Sequence, residues 1–237
     1  MNFIKNLNID FIDLLPFYER PFRAKFIPSK IWEDLDKYRN NPEGLVSYCK
    51  KWKTKVEYRP RGKNKIYETL VAMGGEYDCY DRQMSLYIYE TNLKEFQFTN
   101  KTWSRFKFKF LQVMMHELIH FMQYDRRFDE PTNYVLPYKK VGKSKVDDER
   151  RYLSDFDEIQ AYAHCVYLDL KCFHPSKTVK DLSVKSKRSL SHTLSYYLKT
   201  FDKDNRNNEA INKLLQQVCK WDSKYQNAKV ILKRKGK

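Results

Sequence analysis

Residues 102–125 read TWSRFKFKFLQVMMHELIHFMQYD, and this stretch decides the architecture. It contains neither Gly nor Pro, and its apolar residues recur at helical spacing. Each helical residue turns the chain by about 100°. Phe110, Leu111, Met114, Leu118, Phe121 and Met122 then fall on one arc, and Arg105, Lys109, Gln112, His116, His120 and Gln123 on the opposite one. The pattern predicts a long amphipathic helix whose back packs on a core and whose polar stripe carries both histidines.

Within that stripe stands His116-Glu117-Leu118-Ile119-His120. Two imidazoles four residues apart project from one helical face and can grip one ion. Zinc suits imidazole nitrogen and carboxylate oxygen, and its catalytic sites keep one position for water. Glu117 lies about 100° round the helix from His116, off the ligand line. It is placed to act as general base on the water that the ion activates. The competing reading is a pair of solvated histidines on a polar face, or a structural metal site. A structural site has no use for the base at Glu117.

A third ligand has to come from elsewhere, and the best candidate is Glu158 in Asp157-Glu158-Ile159-Gln160-Ala161-Tyr162-Ala163. A carboxylate in the first turn of a helix is also favoured by the dipole alone. Ser154 and Asp157 fit the S-x-x-D capping pattern, which leaves Glu158 available beside an apolar stripe of Ile159, Ala163, Val166 and Leu170. His164 is the alternative ligand. It lies six residues on, so the two do not serve the same ion. His174 and His192 read as surface residues.

The other segments place the helix in an α+β setting. Residues 1–28 read as an irregular arm with Pro16, Pro21 and Pro28. Ser29 caps a short helix to Tyr38, and Asn41-Pro42 opens another. Residues 65–73 and 84–90 read as strands, with Gly74-Gly75 and the polar run 78–83 as turns between two or three antiparallel strands. A loop of about two dozen residues with Pro131, Pro137 and Gly142 follows the histidine helix. A helix from Ser154 to about Lys171 comes next, and then helices near 186–201 and 208–225 and a frayed basic tail. The expected divisions are an arm with packed helices over 1–55, a core over 56–175 and a basic helical extension over 176–237.

Charge is uneven. The net charge is +16, and residues 176–237 carry thirteen lysines and three arginines against four aspartates and one glutamate. A basic end of this kind suits nucleic acid or an acidic partner, with Tyr196, Tyr197, Trp221 and Tyr225 available for stacking, or else it is a solvated helical surface. Five scattered cysteines, with no C-x-x-C pair, argue against a disulfide framework or a cysteine zinc site. No run of apolar residues is long enough to span a membrane, and the first residues lack the marks of a secretory signal. A reducing cytoplasm is the expected location.

The His116–His120 motif, followed by a Glu at the start of a later helix with an E-I-x-A-x-A run, resembles zincin metallopeptidases of the gluzincin type. It is also similar to peptidase-like domains of the ImmA/IrrE group and to metallopeptidases of bacteriophages. The resemblance covers about residues 65–172. It implies a zincin-like fold, in which a small antiparallel or mixed sheet packs on the active helix and a second helix bears a ligand. It implies zinc on His116, His120 and Glu158, Glu117 as base then acid, and a peptide or protein substrate. A strand before the active helix would hold that substrate by a free edge, here residues 84–90 through Leu86, Tyr87 and Ile88. Such enzymes supply a Tyr or His to the oxyanion. Tyr134 is the leading candidate, with Tyr162 and His164 as others. The Asp often found four residues after the third ligand is replaced by Tyr162. SprT-like repair proteases, which act on DNA-bound proteins, use His as the third ligand, so Glu158 sets this chain apart from them.

Overall fold

Thr99 starts the long helix, because its hydroxyl accepts the backbone N–H of Thr102 at 3.2 Å and so satisfies one of the orphan donors of the first turn. The computed structural model describes residues 28–60, 72–78, 80–90, 98–129, 144–182, 189–201 and 208–235. The arm over 1–27, residues 65–71, and the loop over 130–143 with Tyr134 lie outside the described residues. The chain forms two compact units that part between Tyr124 and Asp125. Its composition suggests divisions near 55 and 175.

The first unit holds helices α1 (Pro28–Asp34) and α2 (Pro42–Cys49), strands β1 (Thr54–Pro60), β2 (Ala72–Asp78) and β3 (Gln83–Glu90), and most of α3 (Asn100–Asp129). A 3-10 turn, Leu35–Tyr38, continues α1. Asn41 caps α2 by accepting from the Gly44 N–H at 2.8 Å, with Pro42 in the first turn, as the sequence predicts. The three strands form one mixed sheet in the order β1-β3-β2. β1 runs parallel to β3, and β2 runs antiparallel to it. The mixed sheet is one of the two forms expected for the fold, and the reading of every strand as antiparallel is corrected at β1. β1 alternates Thr54, Val56 and Tyr58 with Lys55, Glu57 and Arg59, and Thr54 and Val56 are buried. Pro60 at its end is tolerated because β1 is an edge strand.

Residues 72 and 73 of the strand expected over 65–73 lie in β2, which runs on to Asp78. Gly74 and Gly75 lie inside β2, and the reversal comes after it. Asp78 makes that turn, its carboxylate accepting the N–H groups of Tyr80 at 2.8 Å and Asp81 at 3.1 Å. β3 is the alternating strand that its sequence predicts, with Met84, Leu86 and Ile88 buried on one face. It is paired along both edges, however, so it has no free edge for a substrate. Leu86 and Ile88 are 1% and 0% exposed, and Tyr87 faces the other way, under the Arg59 guanidinium and donating to Glu76 at 2.5 Å. The assignment of Leu86, Tyr87 and Ile88 to substrate binding is therefore withdrawn.

α3 is held to the 3-10 turn by a polar clamp within an aromatic core. Trp103 and Phe106 stack at 4.8 Å between centroids, and Phe98 meets both at 5.1 Å. Beside them the buried Lys107 ammonium donates to Asp36 at 2.7 Å and to the Trp32 carbonyl at 3.1 Å, and lies over the Trp32 ring. The Trp103 indole N–H donates to the same Asp36 oxygen at 2.8 Å. A buried ammonium is tolerable only when its donors are met.

The second unit is helical: α4 (Lys145–Ser154), α5 (Phe156–Phe173), α6 (His192–Thr200) and α7 (Glu209–Lys235). α5 is its centre and packs on α4, α6 and α7. α4 is a correction, since these residues are read from sequence as loop. Ser144 caps it, accepting from the Asp147 N–H at 3.1 Å and donating to the Asp147 carboxylate at 2.8 Å. Ser154 is thus the last residue of α4, and its hydroxyl donates to the Arg150 carbonyl. Asp155 caps α5 in its place, accepting from the Asp157 N–H at 2.9 Å. Buried Asp169 ties α5 to the start of α6 by accepting from the Ser191 hydroxyl at 2.7 Å and the Thr193 N–H at 3.1 Å. The four described cysteines form no disulfide, and burial pushes the Cys49 and Cys172 thiols up to about 12. No described helix is long and apolar enough to cross a membrane.

The clamp gives a stability prediction. Asp36→Ala removes the acceptor shared by Lys107 and Trp103 and should destabilise the chain by about 1–3 kcal/mol, read by urea unfolding. Asp36→Asn keeps an acceptor and should lose less. Equal stability of Asp36→Ala and wild type would show that the clamp contributes nothing.

Candidate metal centre

α3 is more enclosed than a two-faced helix requires. From Phe106 to Glu117 every residue but Lys109 is buried. Gln112, His116 and His120 of the polar stripe are therefore interior, while Arg105, Lys109 and Gln123 are partly exposed; His116, Glu117 and His120 are 7%, 5% and 7% exposed. Polar groups in that position need partners.

The two imidazoles face each other. Their Nε2 atoms lie 3.1 Å apart, with the ring planes at 77°. Two nitrogens bound to one tetrahedral zinc would stand about 3.3 Å apart, given bonds of about 2.0–2.1 Å. The pair is thus close to the spacing of two ligands. His120 Nδ1 meets the Gln123 side-chain oxygen at 2.8 Å. An amide oxygen accepts, so the proton sits on Nδ1 and Nε2 presents its lone pair. Metal-binding histidines are commonly oriented by such a bond. Gln123 belongs to the predicted polar stripe, although its role is visible only in the structure.

Glu117 rests against the strand β2. A Cβ built on Gly75 would lie 2.6 Å from Glu117 Oε1, 2.7 Å from Glu117 Cγ and 2.7 Å from Val113 Cγ1. No side chain fits there without displacing the carboxylate, so glycine is required at 75 by close approach. Sequence reading takes Gly74-Gly75 as a turn. The available signal is that a glycine inside a strand pattern often marks another group pressed on the backbone. Farther along, Tyr77 of β2 meets Phe121 edge-on at 5.6 Å and Tyr124 at 6.0 Å.

Glu158 lies in the first turn of α5. The Tyr152 ring of α4 meets the Tyr162 ring of α5 edge-on, 6.2 Å apart at 88°, a contact that no motif announces in the sequence. His116, His120 and Glu158 each offer one ligand atom, and these atoms all lie within 4.8 Å of one another. This His/His/Glu group could hold a metal ion, and its nitrogen and oxygen donors suit one. His164 is not in the group. It is fully buried in α5, with its ring edge-on to Trp221 at 4.9 Å.

The stacking residues of the basic segment are largely committed to the core. Trp221 is buried and donates its indole N–H to the Gln160 carbonyl at 3.1 Å. Tyr197 is also buried, and Tyr196 donates to Glu149. The side chain of Tyr225 lies outside the described residues. No protein-family model, curated protein or solved structure matches the chain.

The approach of Glu117 to β2 is testable by crowding it. Gly75→Ala should cost about 1–3 kcal/mol through overpacking, seen as a lower melting temperature. Gly74→Ala is the control, since its Cβ would meet nothing nearer than Tyr89 at 3.8 Å. Equal melting temperatures for the two variants would contradict the contact.

Proposed function

We propose that the chain is a zinc-dependent peptidase. The observation that carries this reading is a buried carboxylate beyond the three ligands: Glu117 stands beside His116 in sequence yet outside the His116/His120/Glu158 group. Three protein ligands with an adjacent carboxylate that is not one of them suit catalysis better than a closed structural site, which takes four ligands and no base. A zinc ion held there would act as a Lewis acid toward the scissile carbonyl and bring water into reach of deprotonation near neutral pH.

The chain's own groups would do the rest. Glu117 accepts the proton of the attacking water and returns it to the leaving amine, so one carboxylate serves as base and then acid. Burial keeps competing solvent away from it. Gly75 lets β2 approach this carboxylate, and β2 is paired only to β3 among the described strands. An extended peptide could add to the outer edge of β2 and pass Glu117, which moves the substrate strand from β3 to β2. No described residue is assigned to the oxyanion.

Glu117→Gln tests the mechanism. Zinc content should stay near one ion per chain by elemental analysis. Cleavage of a denatured peptide library, read as new termini by mass spectrometry, should fall by about 10²–10⁴-fold. Cleavage at the wild-type rate would contradict the role of Glu117.

A second reading, association with nucleic acid, is favoured by α7. Lys213, Lys220 and Lys224 are exposed and fall on one face of that helix. If the face binds phosphates, affinity for a DNA duplex should fall steeply as salt rises. Replacing the three lysines by Gln should flatten the salt dependence, and an unchanged slope would rule the face out.

A further inference from the structure

The buried run of α3 before the histidines opens at one place. From Phe106 to Glu117 only Lys109 is not buried. It stands two turns before His116, on nearly the same line of the helix. Its ammonium donates to the Gln112 side-chain oxygen at 3.0 Å, a bond that runs forward along the helix toward His116. Gln112 itself is 3% exposed and lies one turn before His116. A neutral amide holds the ammonium in place without cancelling its charge. An ammonium has three donors, and among the described residues Lys109 has no carboxylate partner. Lys107 in the same helix is the contrast, since its ammonium is paired with Asp36 at 2.7 Å. An oriented cation left without a counter-charge is suited to bind an anion through charge-assisted hydrogen bonds.

The strand β2 gives the direction. Gly75 lies against Val113 and Glu117, and Tyr77 against Phe121 and Tyr124, so β2 and α3 run the same way. A peptide added antiparallel to β2, the pairing that β2 already makes with β3, runs the opposite way. Its part beyond the scissile bond then heads toward the Lys109 end of α3. At a rise of about 1.5 Å per residue, Gln112 lies about 6 Å and Lys109 about 10 Å before His116 along the axis. An extended peptide covers that distance in about two to three residues. We propose that Lys109, oriented by Gln112, is a specificity-determining residue that binds a substrate carboxylate about two to three residues beyond the cleaved bond. This rests on the reading of the chain as a peptidase whose substrate lies along β2. The carboxylate belongs either to an Asp or Glu side chain or to the C-terminus of the peptide, and both present the same anion to the ammonium.

The test is cleavage of a denatured peptide library by the zinc-loaded full chain, read as new termini, followed by matched synthetic peptides. In the wild type, Asp, Glu or the C-terminus should be enriched about two to three residues after the cleaved bonds. One matched pair exchanges Glu for Gln at that place under an amidated C-terminus. The other is a neutral sequence with a free or an amidated C-terminus. A preference for Glu over Gln identifies the side chain as the source, and a preference for the free end identifies the terminus. Either preference should be about 10–100-fold in kcat/KM, and it should shrink to within about twofold in Lys109→Met. Lys109→Gln is the second variant should the first not fold. Lost folding alone lowers both rates and leaves their ratio, so the ratio isolates recognition. If the wild type cleaves peptides with neither preference, or either variant keeps the wild-type ratio, the role of Lys109 is wrong while the peptidase reading stands. If the wild type cleaves no peptide, the peptidase reading fails and the role of Lys109 falls with it.

Discussion

Burying His116, Glu117 and His120 of α3 is the constraint on which the rest depends. An amphipathic helix at a surface can leave its histidines to water. Here His116, Glu117 and His120 lie inside, and a buried imidazole or carboxylate without partners is costly. Two details answer that cost within the helix and its sheet. Gln123 accepts a hydrogen bond from the Nδ1–H of His120, and the two Nε2 atoms face each other at 3.1 Å, a hydrogen bond when one of them carries a proton. The same orientation brings two ring nitrogens close to the spacing of two ligands on one ion.

The sheet serves this arrangement by what it lacks. β2 could not run alongside Glu117 with any side chain at position 75. The edge strand, the glycine and the carboxylate therefore form one device, in which a close backbone approach brings a strand edge to a candidate base. Glu158 is prepared differently. Its place is set by the backbone, where Asp155 caps the first turn of α5.

Legibility in the sequence followed the range of the interaction. The i, i+4 histidines, the Asn41-Pro42 helix start and the alternation of Met84 to Tyr89 are local patterns, and each appears in the structure where the sequence places it. The capping of α5 failed for an instructive reason. The S-x-x-D pattern occurs at both Ser144/Asp147 and Ser154/Asp157, and only the first pair is used, because Ser154 ends the preceding helix. The parallel pairing of β1 with β3 joins segments far apart in the chain, and no turn signal announces such a pairing. Gly75 looks like a turn residue until its neighbour is known. Tyr152 gives no signal at all, since its contact with Tyr162 exists only once α4 and α5 are packed.

The central claim is that nitrogen and oxygen atoms from His116, His120 and Glu158 hold one zinc ion. X-ray absorption at the zinc edge of the loaded chain tests this most directly. The account predicts a first shell of nitrogen and oxygen at about 2.0–2.2 Å, with two imidazoles and no sulfur. A sulfur scatterer at about 2.3 Å would assign the metal to cysteine and contradict the account.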